Sequence, residues 1–247
     1  MNIYFDTEFT GLVPNTTLIS IGMVTDRGEK YYAEFTDYNE NLVTGWIREH
    51  VIDNLKHGGT TDIRCKYLSS ELGYDEALGP TYMIRDDLRN WLHDVSAVYE
   101  STSDVDGTVY TEPTGRRQIQ LIADVCHYDM YLLCNQIFGG AFNLPGNVNP
   151  VCYDICQDIN LGMYCAEHIL EHRMVNVEEQ DGVVSVDSSI EIPTQATTRN
   201  MRRAFDQSRE ELCKQLNYGR LPEGQKHNAL YDAEVIKMIY EGMRRND

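Results

Sequence analysis

The sequence predicts an α/β fold, and three observations carry that prediction. The N-terminal run Ile3-Tyr4-Phe5 is continuously apolar, as a strand covered on both faces requires. Two more strand-like segments, 17–24 and 30–35, are joined by the tight turn Asp26-Arg27-Gly28, which gives a three-stranded antiparallel start to a sheet. The chain then closes on a helix from about Ala229 to Arg244, with Ala229, Ala233, Ile236, Ile239, Tyr240 and Met243 on one apolar stripe.

The first strand ends in Asp6-Thr7-Glu8. Side chains alternate along a strand, so Asp6 and Glu8 share a face and lie about 7 Å apart along the backbone. Carboxylates held this way repel one another, and a hard divalent ion such as Mg²⁺ or Mn²⁺ is the expected third party. The plainer alternative is a pair of polar residues at a strand exit, turning the chain toward Gly11.

Further along, Thr10 to Asn15 is turn-rich and Trp46 to Leu55 reads as a short helix, followed by a Gly58-Gly59 loop. Met83 to Leu92 is amphipathic, with Ile84, Leu88, Trp91 and Leu92 at helical spacing. Ala97 to Tyr99 and Val109 to Tyr110 read as short strands around the acidic loop Asp104-Val105-Asp106-Gly107. Gln118 to Val125 is a strong strand that runs into His127-Tyr128-Asp129 and a helix over 130–138. After a loop over 139–150, a helical stretch around 160–172 and a hairpin over 174–192 turning at Asp181-Gly182 read as an insertion, at about 160–198, in a single domain of 1–247.

Composition narrows the function classes. Apolar content of 42% and charged content of 24% are ordinary for a globular protein. No apolar run approaches ~20 residues and no basic segment leads into one, so neither a membrane span nor a signal peptide is expected, and a cytoplasmic location follows. A net charge of −18 argues against coating long nucleic acid, whose phosphates must be neutralised by basic side chains. It is compatible with taking one chain end into a metal-loaded cleft, where the ions supply positive charge. Seven cysteines, an odd number, fit free thiols better than a disulfide framework. Cys152, Cys156, Cys165, His168 and His172 offer zinc-ligand chemistry, but their spacing matches no standard finger or ribbon, and buried cysteines also serve as small hydrophobes. Basic residues gather late, at Arg199, Arg202, Arg203, Arg209, Lys214, Arg220 and Lys226.

Two further carboxylates stand at the head of inward helix stripes. Asp232 precedes Ile236 by four residues and Asp129 precedes Leu133 by four. A first-turn Asp also serves as a helix cap, which is the alternative for each. His227, five residues before Asp232, meets that carboxylate only from an extended lead-in, for which Gly224-Gln225-Lys226 provides room. There it is a candidate general base with a pKa naturally close to operating pH; elsewhere it is a surface histidine.

The set Asp6-Thr7-Glu8 with Thr10-Gly11-Leu12, then His127 to Leu132, then His227 to Ala233, resembles the DEDD superfamily of 3′-5′ exonucleases. The H-x-x-x-x-D form of the last motif resembles the DEDDh branch. The helix at Trp46 to Val51 and the phrase Tyr128 to Gly139 resemble a smaller subgroup typified by a mycobacterial-type 3′-5′ exoribonuclease. The resemblance implies a ribonuclease H-like mixed sheet flanked by helices. It implies that Asp6, Glu8 and Asp232 hold one Mg²⁺ or Mn²⁺, that Asp6 with Asp129 through water holds a second, and that His227 takes the proton from the attacking water. Thr7, Phe9, Thr10 and Leu12 around the first motif, with Arg202 and Lys226 from the basic stretch, are the candidate substrate contacts. The expected substrates are 3′ ends of single-stranded RNA or DNA or short oligonucleotides, with RNA favoured by the subgroup alone, and a homodimer is admitted. Many relatives carry Asn four residues before the Asp of the second motif, where this chain has Val125, and Asp124 is a competing ligand there. The insertion has no clear counterpart in the family pattern. A metal phosphodiesterase for short oligonucleotides or small nucleotides, and a non-catalytic nucleic-acid-binding module on the same fold, are the competing classes.

Overall fold

The computed structural model describes residues 1–58, 66–71, 73–103, 109–157 and 209–245. The helix and hairpin expected at 160–198, the acidic loop at 104–107, and Cys165, His168, His172, Arg202 and Arg203 lie outside the described residues.

The N-terminal apolar run forms β1 (Asn2–Phe9), with Ile3, Tyr4 and Phe5 fully buried. Its antiparallel neighbour β2 (Leu18–Thr25) is buried along its whole length and pairs in turn with β3 (Lys30–Phe35). The helix α1 (Gly45–His50) follows, capped by the Thr44 hydroxyl, which accepts from the Ile47 amide at 3.2 Å. Next come β4 (Lys66–Glu71) and β5 (Tyr74–Gly79), a hairpin, and α2 (Thr81–Ser96). The strands β6 (Ala97–Ser103) and β7 (Val109–Arg116) form a separate two-stranded ribbon. The strand β8 (Gln120–Ala123) returns parallel to β1 and leads into α3 (His127–Leu132). Among the described residues the main sheet reads β4-β5-β3-β2-β1-β8-β9, where β9 is only Tyr153–Asp154. With β3–β5 and β1–β8 parallel and the other long pairs antiparallel, this is a mixed sheet flanked by helices, the ribonuclease H-like arrangement.

The chain divides into two compact units, Met1–Tyr153 with Pro222–Lys237, and Asp154–Leu221 with Met238–Asp247. In the first, Ile3 and Phe5 pack with Ile84, Leu88, Trp91 and Leu92 of α2 and with Leu132, Leu133 and Ile137 after β8. A bulge between Glu8 and Phe9 leaves Ile19 as an extra residue of β2, and Ile19 joins a second cluster with Ile47, Val51, Ile52 and Leu55 around α1. In the second unit, the Asn217 amide donates to the carbonyls of Cys213 at 2.8 Å and Met238 at 3.1 Å. Gly242 leaves room there for Leu216, whose Cβ would stand 2.8 Å from an added methyl.

Three elements differ from the sequence reading. The hairpin β4–β5 was not expected, because its strands carry charges at positions that the register buries: Glu76 is 5% exposed and is held by Lys56 and His57. The helix expected at 130–138 begins earlier, at His127, and becomes a π-helical turn over Leu133–Ile137. The closing helix α4 (Ala229–Arg245) buries Tyr231 and Val235 as well as the expected stripe, while Tyr240 and Met243 are only half-buried. No helix among the described residues is long and apolar enough to cross a membrane. Among the described residues Cys126, Cys134, Cys152, Cys156 and Cys213 form no disulfide.

Candidate active site

The site is built at one end of β1, where one face of the strand supplies Asp6 and Glu8 and Thr7 on the other face holds Asp129. Odd-numbered residues face α2 and α3, so Thr7 points toward Asp129. The Thr7 amide donates to Asp129 Oδ1 at 3.0 Å and the Thr7 hydroxyl to the same oxygen at 2.5 Å, fixing a buried carboxylate in the first turn of α3. Even-numbered Asp6 and Glu8 face α4. Asp6 pairs across the sheet with Gly22, and a methyl at Gly22 would lie 2.3 Å from the carbonyl carbon of Ala229 and the amide nitrogen of Leu230. Only a glycine admits this approach, so Gly22 lets the first turn of α4 rest on the strand pair and carries Asp232 toward Asp6.

The lead-in to α4 is a turn and not the extended segment expected. His227 adopts a left-handed backbone with φ 66°, and its amide donates to Asp232 Oδ2 at 2.8 Å. Asn228 caps the helix, accepting from the Leu230 and Tyr231 amides at 3.2 and 3.4 Å, and its own amide nitrogen donates to the Asn54 carbonyl at 3.3 Å. The turn therefore brings His227 to the carboxylates. His227 Nδ1 lies 3.9 Å from Glu8 Oε1, and one ligand atom each from Glu8, His227 and Asp232 fall within 4.8 Å of one another. The Trp46 and His227 rings meet in a T-shaped contact with centroids 5.2 Å apart, and Trp46 is stacked on His50 at 4.6 Å.

Electrostatically the site is a store of like charge. Burial, then the charges of Asp232, Asp129, Glu8 and Asp124, holds the Asp6 carboxyl well above the usual carboxylate range. Burial also pushes Asp129 up to about 7; the Thr7 hydrogen bonds oppose that shift and the Asp124 charge adds to it. A set of carboxylate oxygens with one imidazole suits a hard divalent cation, which removes the repulsion that otherwise keeps protons on the site.

The motif residues come together as follows. Asp6, Glu8, Asp129, Asp232 and His227 share the end of β1. Phe9 stacks on Tyr128 with centroids 5.3 Å apart. Thr10 is buried and accepts the Thr17 amide at 2.9 Å, securing the turn, while Leu12 is 74% exposed on the loop beyond Gly11. Lys226 occupies the turn before His227 and is half-buried, its carbonyl 3.4 Å from the Asn54 amide nitrogen. Arg202 lies outside the described residues.

Sequence reasoning did not single out Trp46 or Gly22 as part of the site, and it weighed Asp124 only as a competitor to Asp129. Asp124 is 7% exposed at the end of β8, near enough to raise both Asp6 and Asp129. Its signal was present in its place at the foot of a strand parallel to β1. Next to it, Val125 takes φ 49°, a left-handed conformation costly for a β-branched residue and natural for Asn.

No family model matches the chain. Two 3′-5′ exoribonucleases of Mycobacterium tuberculosis, Rv2179c from strain H37Rv and MT2234.1 from strain CDC 1551, are each 38% identical to it over 55 residues. The aligned stretch is 22% of this chain and 33% of each relative, so the chain spans about a third of the length of the curated relatives it matches.

Proposed function

We propose that the protein is a divalent-cation-dependent 3′-5′ exonuclease of the DEDDh type, releasing nucleoside monophosphates from single-stranded ends, with RNA as the preferred substrate. The observation that carries this reading is the convergence of Asp6, Glu8, Asp129, Asp232 and His227 on one strand end, where burial and mutual repulsion leave the carboxylates in need of a cation. The two similar mycobacterial proteins, named as 3′-5′ exoribonucleases, support the direction of attack and the choice of RNA.

The donor set fits Mg²⁺ or Mn²⁺. Asp6, Glu8 and Asp232 would hold one ion, and Asp6 with Asp129 the other. Bound there, the cations supply positive charge to the phosphodiester and acidify a water molecule. His227, aligned by its backbone bond to Asp232 and by its T-shaped contact with Trp46, accepts the proton of the attacking water. Thr7 holds Asp129 in place. Trp46, 54% exposed, and Leu12, 74% exposed, offer apolar surface for the terminal bases. With a chain charge of −18, short oligonucleotides are the favoured substrates.

The test is a time course on 5′-labelled single-stranded RNA and DNA of equal sequence, with Mg²⁺, Mn²⁺ or EDTA. The reading expects a ladder that shortens stepwise from the 3′ end, faster for RNA, absent in EDTA, and absent in an Asp6→Asn variant of unchanged fold. No shortening with either metal, or shortening that survives EDTA, overturns it.

A further inference from the structure

A second cleft opens at the other end of β1, between the last turns of α2, the β6–β7 ribbon and the loop over 145–147, with a cavity volume of about 950 Å³. Its walls include Gln118, whose carbonyl accepts the N-terminal amine of Met1 at 2.8 Å. Met1 precedes Asp6 by five residues, which places the cleft about 17 Å along the strand from the carboxylates. It is a different site.

The chemistry of its lining departs from the rest of the chain. Arg89, His93 and Arg116 all face the cleft, in a protein with 39 acidic residues against 21 Lys and Arg. Two arginines elsewhere are matched to carboxylates, Arg27 to Glu29 and Arg85 to Asp86. Among the described residues neither Arg89 nor Arg116 makes such a pair, although the Arg89 charge, after Arg85, helps hold the exposed Asp86 carboxyl below its ordinary range. Arg89 donates to the Asn143 carbonyl at 3.2 Å and lies over the Phe138 ring at 5.3 Å, which orients its guanidinium while, among the described residues, committing few of its donors. The Arg116 guanidinium touches the His93 imidazole, whose other nitrogen meets Asp94 Oδ1 at 3.0 Å. Asp94 is thus taken up by His93. Tyr99, opposite Pro113 at a bulge in the ribbon, is 56% exposed on the same wall.

We infer that this cleft binds a nucleotide, with its phosphate on Arg89 and Arg116 and its base against Tyr99. Two guanidiniums lining one cavity, with no ion-paired carboxylate among the described residues, offer a phosphate the paired donors and positive charge it needs. An exposed aromatic ring beside them, in a cavity far larger than a phosphate ion, supplies the stacking surface for a base. The same chemistry serves a free mononucleotide or the far end of a single strand. This inference does not depend on hydrolysis at the carboxylates, and it is tested without turnover.

Calorimetric titration of the full chain in EDTA, with AMP, with a five-nucleotide single strand and with inorganic phosphate, decides the matter. Saturable binding of AMP or the oligonucleotide is expected, weakened at least tenfold by Arg89→Ala with Arg116→Ala. Tyr99→Ala should weaken the two base-bearing ligands and leave phosphate alone. Tighter binding of AMP marks a free-nucleotide site, and tighter binding of the oligonucleotide marks a strand path. Arg116→Glu, on an exposed ribbon position, gives the same loss should the double variant fold poorly. No binding at millimolar ligand, or equal binding by wild type and Arg116→Glu, overturns the inference.

Discussion

Replacing Gly22 by alanine tests how the site is assembled. The added methyl would stand 2.3 Å from the Ala229 carbonyl carbon and the Leu230 amide nitrogen and 2.4 Å from the Ala229 carbonyl oxygen, all backbone atoms that cannot rotate away. Restoring an ordinary contact of about 3.4 Å requires the first turn of α4 to retreat by roughly 1 Å. Overpacking of that kind costs about 1–3 kcal/mol, and for a chain of this size lowers Tm by roughly 2–12 °C. The same retreat carries Asp232 and His227 away from Asp6 and Glu8. A displacement of ~1 Å at reacting groups costs on the order of 10²-fold in rate. Gly45→Ala, at a position with no atom within 4 Å of the new methyl, is the control and should leave both quantities near wild type. The assay is a thermal melt paired with nuclease turnover in Mn²⁺. A Gly22→Ala protein of normal rate, whether or not its Tm falls, would refute the claim that this approach sets the position of Asp232.

Other perturbations have equally definite outcomes. His227→Ala should lower kcat by roughly 10²- to 10⁴-fold while Mn²⁺ and oligonucleotide still bind; near-normal kcat in single-turnover kinetics would remove His227 from proton transfer. In the cation-free protein, Asp6 and Asp129 keep protons that the unfolded chain has already lost, so their contribution to stability is full below about pH 4 and fades as pH rises toward 7. Melts in EDTA should therefore show falling Tm across that window and Mn²⁺ should reverse the fall at pH 8; a Tm that rises from pH 4 to 7 in EDTA contradicts the buried-carboxylate account. Val125→Asn relieves a β-branched residue at φ 49° and should raise Tm, by about 1 kcal/mol of stability; an unchanged or lower Tm would show that its surroundings stabilise the strain.

The catalytic candidates were legible because their sequence signals are local. Asp6 and Glu8 end an apolar run, and Asp129 and Asp232 lead inward helix stripes, so periodicity alone places each near the core. Their convergence was not local. Thr7 is odd in the alternation that makes Asp6 and Glu8 even, and alternation alone could have assigned it to the opposite face, where it meets Asp129. The hairpin β4–β5 escaped because tertiary partners satisfy Glu76 at a buried position, so the strand lacks a clean apolar alternation. The turn at His227 was read as extended because a left-handed histidine leaves no mark in composition. Arg89 and Arg116 of the second cleft are far apart in sequence and gain meaning only when α2 and β7 line one cavity.

The most direct test of the central claim is the binding of Mn²⁺ itself, followed by the loss of free-ion electron paramagnetic resonance signal on titration at pH 8. The account predicts two saturable ions for the wild-type chain, and Asp6→Asn, which removes the ligand shared by both, should abolish tight binding while raising the Tm of the cation-free protein. Mn²⁺ that fails to saturate, or that binds Asp6→Asn as it binds wild type, would contradict it.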